Sequence, residues 1–164
     1  MIIDLNSDSD VALLRRATTG QVVGLTSGSY DLFHNMHLVY LRRCRRLCDV
    51  LIVGVDSDDL TRQRKGPSRP TIGEHQRVDI VSALNCVHAA FVLGSVEDFG
   101  RATKDLNASV IFKNEQFGEE KIIGSDSARV VIVPDMPQHG STSAIIEEVV
   151  NRCGQRNPAS HTVS

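Results

Sequence analysis

The sequence lacks a charge excess of either sign. Eighteen Lys and Arg stand against twenty Asp and Glu, a net charge of −2 at pH 7. No global basic field therefore draws the protein to nucleic acid or to an anionic membrane surface. It also lacks a CxxC pair: its cysteines are Cys44, Cys48, Cys86 and Cys153. Cys44 and Cys48 are one helical turn apart, yet no further Cys/His set completes a zinc site, so reduced thiols in a cytoplasmic protein are expected. No apolar run approaches the ~20 residues that span a bilayer. The acidic opening, Met1 to Asp10, has no basic region followed by an apolar core, which argues against a signal peptide. The expectation is a soluble protein with no nucleic-acid and no membrane partner.

What is there is an ordinary globular composition, 41% hydrophobic and 23% charged, in a length that suits one domain with a real core. Apolar runs and helical periodicities alternate along it. A short helix is predicted from Asp8 to Thr19, capped by Ser7 or Asp8 and ended by Gly20, and residues 1–20 read as a helical lead-in. Val22 to Leu25 reads as a buried strand. Leu38, Leu41, Cys44 and Leu47 give a helix beginning near His37. Arg42, Arg43, Arg45 and Arg46 on that helix read as solvated surface, with a subunit contact or an acidic ligand as the alternatives.

Val50 to Val55 is continuously apolar, as a strand covered on both faces of a parallel sheet would be. Asp56 to Asp59 close it, at the end where open α/β sheets place ligands. Arg62 to Pro70 is cationic and punctuated by Gly and Pro, which predicts a loop, either solvated or a triphosphate clamp. A helix with Val78, Ile80, Val81 and Leu84 on its apolar face follows, carrying Arg77 on its first turns. Strands are predicted at Ala89–Leu93, Ser109–Phe112 and Val130–Val133, with a helix over Val96–Leu106. Asn114 to Ser127 reads as a loop with a short helix. Ser141 opens a last helix containing Ile145, Ile146, Val149 and Val150, and residues 154–164 read as a flexible tail. The pattern predicts an α/β fold, a Rossmann-like doubly wound parallel five-stranded sheet with helices on both faces, over residues 21–153.

One stretch stands out, Thr26 to His37, Thr-Ser-Gly-Ser-Tyr-Asp-Leu-Phe-His-Asn-Met-His. It places small hydroxylated residues at a strand end and two histidines just before a helix start, a place suited to an anion. Gly28 would let backbone approach a ligand, and two imidazoles can donate hydrogen bonds to phosphate oxygens. A pair of structural histidines is the alternative at this point.

These residues resemble the signature of the cytidylyltransferase-like nucleotidyltransferases, His-x-Gly-His after a Phe-Asp or Tyr-Asp pair. The match is Tyr30-Asp31-Leu32-Phe33-His34-Asn35-Met36-His37. Two further segments follow in the family's order. Lys65-Gly66-Pro67-Ser68-Arg69-Pro70, followed by Glu74-His75-Gln76-Arg77, is similar to the heptose-1-phosphate adenylyltransferase branch, the transferase domain of ADP-heptose synthase. Ser141-Thr142-Ser143-Ala144-Ile145-Ile146 resembles the Ser-Thr-Thr-x-Ile motif of the last helix.

The resemblance implies transfer of a nucleoside monophosphate, AMP favoured, from a nucleoside triphosphate to a sugar phosphate such as heptose 1-phosphate, with release of pyrophosphate. A cytidylyltransferase acting on glycerol 3-phosphate or a related polyol phosphate is the nearest alternative, and a catalytically silent nucleotide-binding or assembly module is another. The resemblance gives His34, His37 and Lys65 the catalytic roles. It places Thr26, Ser27, Gly28, Asp31, Arg77, Ser141, Thr142 and Ser143 around the nucleotide, and Lys113 near the acceptor or the base. It implies Mg2+ carried with ATP or CTP, no protein-built metal site, and a homodimer. The sequence departs from the family at Met36, which replaces a glycine, and at Asn114-Glu115-Gln116, where the adenylyltransferases carry Gly-Gly-Asp.

Overall fold

The computed structural model describes residues 1–115, 122–134 and 142–154. Ser141, Gln116 and the expected tail from residue 155 onward lie outside the described residues. The elements follow the order α1 (Asp8–Ala17), β1 (Val23–Gly28), α2 (Asn35–Arg45), β2 (Val50–Asp56), α3 (Asp58–Lys65), α4 (Glu74–Ser82), β3 (Ala89–Leu93), α5 (Val96–Asp105), β4 (Val110–Asn114), β5 (Arg129–Val133) and α6 (Thr142–Gly154). The five strands form one parallel sheet in the order β3-β2-β1-β4-β5. The predicted α/β architecture is the observed one.

Strand alternation divides the core in two. Leu25, Val50, Ile52, Phe91 and Ile111 face one side, where Leu14 of α1 and Phe99, Ala102 and Leu106 of α5 cover them. Leu51, Val53, Val55, Val110 and Phe112 face the other, against Leu41 and Cys44 of α2 and Val78 and Val81 of α4. A sheet buried on both faces explains why β2 is apolar without interruption. Its wholly buried branched side chains contribute about 1.5–3 kcal/mol each.

The amino-terminal lead-in packs into the same core. Ile3, Leu5 and Leu14 are buried, and residues 1–3 run beside β3 through an Ile2–Ala90 bridge. Among the described residues no helix is long and apolar enough to cross a membrane.

Three local expectations need correction. Arg62 to Lys65 are helical, the last turn of α3. Ser57 caps this helix by accepting the Leu60 amide, acids occupy its first turn, and Arg62, Arg64 and Lys65 occupy its last. That charge order follows the helix dipole, so a cationic run that read as loop is a well-placed helix end. Only from Gly66, at φ 95°, does the loop begin. Helix α2 starts at Asn35, two residues before the expected position. Ile80, assigned to an apolar face, is 40% exposed, because α4 turns only Arg77, Val78 and Val81 fully inward.

Candidate active site

The carboxyl ends of β1, β2 and β4, the turn after β1, the end of α3 and the start of α6 meet at one end of the sheet. The turn carries unusual backbone: Tyr30 and Leu32 both lie in the left-handed region, at φ 48° and 46°. Such conformations cost a non-glycine residue of order 1 kcal/mol or more and persist only where the surroundings fix them. Here Asp31, wholly buried between them, supplies the fixing. Its carboxylate accepts from Arg69 Nε at 2.7 Å, from the Thr71 amide at 3.0 and 3.1 Å and from the Ile72 amide at 3.0 Å. Burial alone would raise its pKa, but the two amides and Arg69 outweigh it, and the carboxyl lies below its ordinary value.

Arg77 acts from the other side. Fully buried, its guanidinium donates to the Ser29 carbonyl, to the Ile72 carbonyl at 2.7 Å and to Asp58 Oδ1 at 2.7 Å. Asp31, expected to orient the turn beside the nucleotide, and Arg77, expected at the triphosphate, pin the segment 69–72 and the start of α3 to the turn after β1. Lys65, at the end of α3, donates from Nζ to Ser29 Oγ at 2.6 Å.

The two histidines flank the start of α2. Their rings stack at 3.9 Å, and the His34 amide donates to His37 Nδ1 at 3.4 Å. With Nδ1 accepting, the neutral His37 ring carries its proton on Nε2. Tyr30 and Phe33 each lie 5.4 Å from that ring. On the α6 side, Thr142 Oγ1 donates to the Asp31 carbonyl at 3.2 Å and meets His34 Nε2 at 3.3 Å. Since the hydroxyl proton is committed to Asp31, His34 Nε2 is the donor in that contact.

Electrostatically these bases are crowded, and the pull of Asp31 and Asp56 does not offset their burial and mutual repulsion. Burial, then His34 and Lys65, hold the His37 imidazole down to about 3, against a weaker opposing pull from Asp31. Burial and the charge of Lys65 also lower His34. Lys65 is lowered by burial and by Arg69. Two neutral imidazoles and a partly desolvated ammonium make a site that an anion would complete.

Along the strand ends, Lys113 Nζ reaches Ser27 Oγ at 3.4 Å and sits 4.3 Å from the centre of the Phe99 ring. Burial, then Arg64, bring Lys113 down to about 8. Thr26 is buried and tied to Tyr40 Oη at 2.9 Å and the Phe112 carbonyl at 3.1 Å, so its hydroxyl joins β1 to α2 and β4. A Cβ on Gly28 would come 3.3 Å from the Tyr30 ring, so the close approach made here is to an aromatic side chain. Ser143 is exposed beside buried Thr142.

His34, His37, Lys65 and Thr142 thus converge around Ser29 and Asp31, with Ser27 and Lys113 next to them. Sequence reasoning missed Ser29, Asp58 and Arg69 as partners of the site. Their roles rest on contacts 19–48 positions apart, which no local periodicity reports. Among the described residues no group of three or more His, Cys, Asp or Glu could hold a metal ion.

The geometry agrees with what the chain is similar to. The bifunctional protein HldE of Syntrophotalea carbinolica is 36% identical over 142 residues, covering 83% of this chain and 28% of that protein. Its counterpart from Trichlorobacter lovleyi is 34% identical over 149 residues, covering 88% of this chain and 30% of that protein. The chain therefore spans less than a third of the length of these relatives. Among solved structures, a lipopolysaccharide core biosynthesis protein from Thermoplasma volcanium superposes with a TM-score of 0.60 at 24% identity, covering 71% of this chain and 98% of that one. That likeness shows the fold. The family model described as cytidylyltransferase-like matches residues 25–147, from the middle of β1 into α6, a span that holds each of the converging groups. The chain belongs to the cytidylyltransferase-like family, a family of nucleotidyltransferases.

Proposed function

We propose that this chain transfers a nucleoside monophosphate, AMP in preference to CMP, from a nucleoside triphosphate to the phosphate of a sugar phosphate such as heptose 1-phosphate. The observation that carries this reading is the meeting of His34, His37, Lys65 and Thr142 at one end of the sheet. An acceptor phosphate oxygen attacks the α-phosphorus in line. The bond from that phosphorus to the bridging oxygen breaks, and pyrophosphate leaves with the electron pair. The attacking oxygen is already anionic, so no general base is required, and catalysis reduces to positioning and charge stabilisation.

His37 Nε2–H, held in that tautomer by the His34 amide, donates to an α-phosphate oxygen. Lys65 neutralises the departing β- and γ-phosphates, moving from Ser29 to the leaving group. Thr142 and His34 border the same space. Asp31 and Arg77 hold the segment 69–72 and the start of α3 against the turn. The donor set of imidazoles, ammonium and hydroxyls suits phosphate oxygens better than a hard cation. A Mg2+ would arrive with the triphosphate, held by its oxygens and water, and would supply further charge neutralisation there.

Pyrophosphate release tests the proposal, with ATP or CTP against heptose 1-phosphate and glycerol 3-phosphate. The expected result is turnover with ATP and heptose 1-phosphate. Preference for CTP and glycerol 3-phosphate would instead assign the cytidylyl reaction, and nucleotide binding without turnover on either acceptor would reduce the chain to a binding module.

The arginines of α2 are partly committed within the chain, Arg43 to the Pro134 carbonyl and Arg45 to the Cys48 carbonyl. Arg42 and Arg46 stay exposed, and we propose them as part of a homodimer contact, testable by light scattering.

A further inference from the structure

Next to the histidine site lies a second set of polar groups that the transfer chemistry above does not use. Asp56 ends β2, which lies between β3 and the central strand β1, and its side chain is 3% exposed. One carboxylate oxygen, Oδ2, accepts from Arg64 at 2.9 Å. The other, Oδ1, is buried and has no hydrogen-bond partner among the described residues. Register puts Ser27 of β1 and Lys113 of β4 beside Asp56 on one face of the sheet, since Leu25 pairs with Ile111 and Gly28 with Val55. Burial raises the Asp56 carboxyl above its ordinary value, against the opposing charges of Arg64, Lys113 and Lys65.

A buried carboxylate oxygen left without a donor costs on the order of 1–3 kcal/mol, and more when charged. A fold that keeps one at the ligand end of its sheet has a position for a molecule carrying hydroxyl groups. Ser27 and Gly28 are only half-buried, so the strand ends open to solvent there. Arg64, the partner of Oδ2, is itself 36% exposed and can leave by a change of rotamer, without backbone movement.

We propose that Asp56, with Ser27 and Lys113, is the specificity wall that recognises the hydroxyl groups of a polyhydroxylated acceptor. This deepens the nucleotidyl-transfer reading and rests on it. Asp56 Oδ1 accepts from an acceptor hydroxyl, Ser27 Oγ pairs with a neighbouring one, and Lys113 steers the acceptor phosphate toward Lys65. The ligand class is a sugar or polyol phosphate. A phosphate carrying no hydroxyl-bearing carbon gains nothing from this wall.

The test compares wild type, Asp56→Asn and Arg64→Gln in the full chain. The readouts are steady-state pyrophosphate release with heptose 1-phosphate and competition by inorganic phosphate. Loss of a charge-assisted hydrogen bond corresponds to a rise of about 10- to 100-fold in the acceptor KM of Asp56→Asn. The triphosphate KM and the inhibition constant of inorganic phosphate are expected to stay within about two-fold of wild type. Arg64→Gln, which frees Oδ2 and leaves Oδ1 intact, is expected not to raise the acceptor KM.

Three outcomes overturn the proposal: an unchanged acceptor KM in Asp56→Asn, an equal rise for acceptor and triphosphate, or an Arg64→Gln defect that matches that of Asp56→Asn. The last would mean that Asp56 only holds Arg64. A melting curve confirms that each variant is folded. Wild-type protein without turnover on any acceptor would instead overturn the function itself, a result distinct from all three.

Discussion

Replacing Asp31 with asparagine tests the architecture of the site without needing a substrate. The carboxylate is wholly buried and serves three donors, Arg69 Nε and the amides of Thr71 and Ile72. Asparagine keeps the shape but has one oxygen, so its amide group must face at least one of those donors. Arg69 would lose its charge partner while remaining only 11% exposed, and its Nη2 already has no partner among the described residues. Removing one member of such a buried pair costs about 3–5 kcal/mol. Some relief comes if Arg69 swings toward solvent, so about 3 kcal/mol is the working figure. For a chain of this size that lowers Tm by about 6–12 °C. Circular dichroism melts near neutral pH, supported by urea midpoints at unchanged m, are the assay. A shift under about 2 °C would mean that Asp31 does not secure the turn, and the account of how Lys65 is placed would fall with it.

Other outcomes follow from the same contacts. His37→Ala is expected to cut turnover by about 100-fold or more with the melt preserved, through loss of transition-state hydrogen bonding; near-normal kcat would remove His37 from the mechanism. Stability should fall as pH drops below about 6.5, because the unfolded chain binds a proton that the folded His37, at about 3, refuses. The His37 contribution is thus fully present above 6.5 and lost on descent toward 3; His37→Gln should flatten that slope in urea titrations, and an unchanged slope would contradict it. Gly24→Ala should cost about 1–3 kcal/mol in urea denaturation, because a Cβ there would lie 2.4 Å from the Phe112 ring and 2.8 Å from Cys48 Sγ. A neutral result would show that the packing between β1, α2 and β4 is looser than these distances state.

The sequence by itself determined the parallel sheet, the order of its elements and the neighbourhood of the site. Burial on both faces writes itself locally, as the unbroken apolar run of β2 and the recurring Leu38, Leu41 and Cys44 of α2. The turn from Thr26 to His37 was likewise visible as a chemical pattern, before any partner was known. What tertiary structure alone decided is what each polar group faces. Arg77 reads as a ligand contact in a motif, and only packing shows that it also donates to the Ser29 and Ile72 carbonyls. Arg62 to Lys65 have the composition of a loop, but a cap at Ser57 and the helix dipole carry the helix through to Lys65. Asp56 looks like one of several acids closing a strand, and only the folded chain leaves Oδ1 buried without a donor among the described residues. The physical reason is range: periodicity reports which side of an element is buried, whereas protonation and hydrogen bonding depend on groups brought from distant positions, as Thr142 is brought to Asp31 across 111 residues.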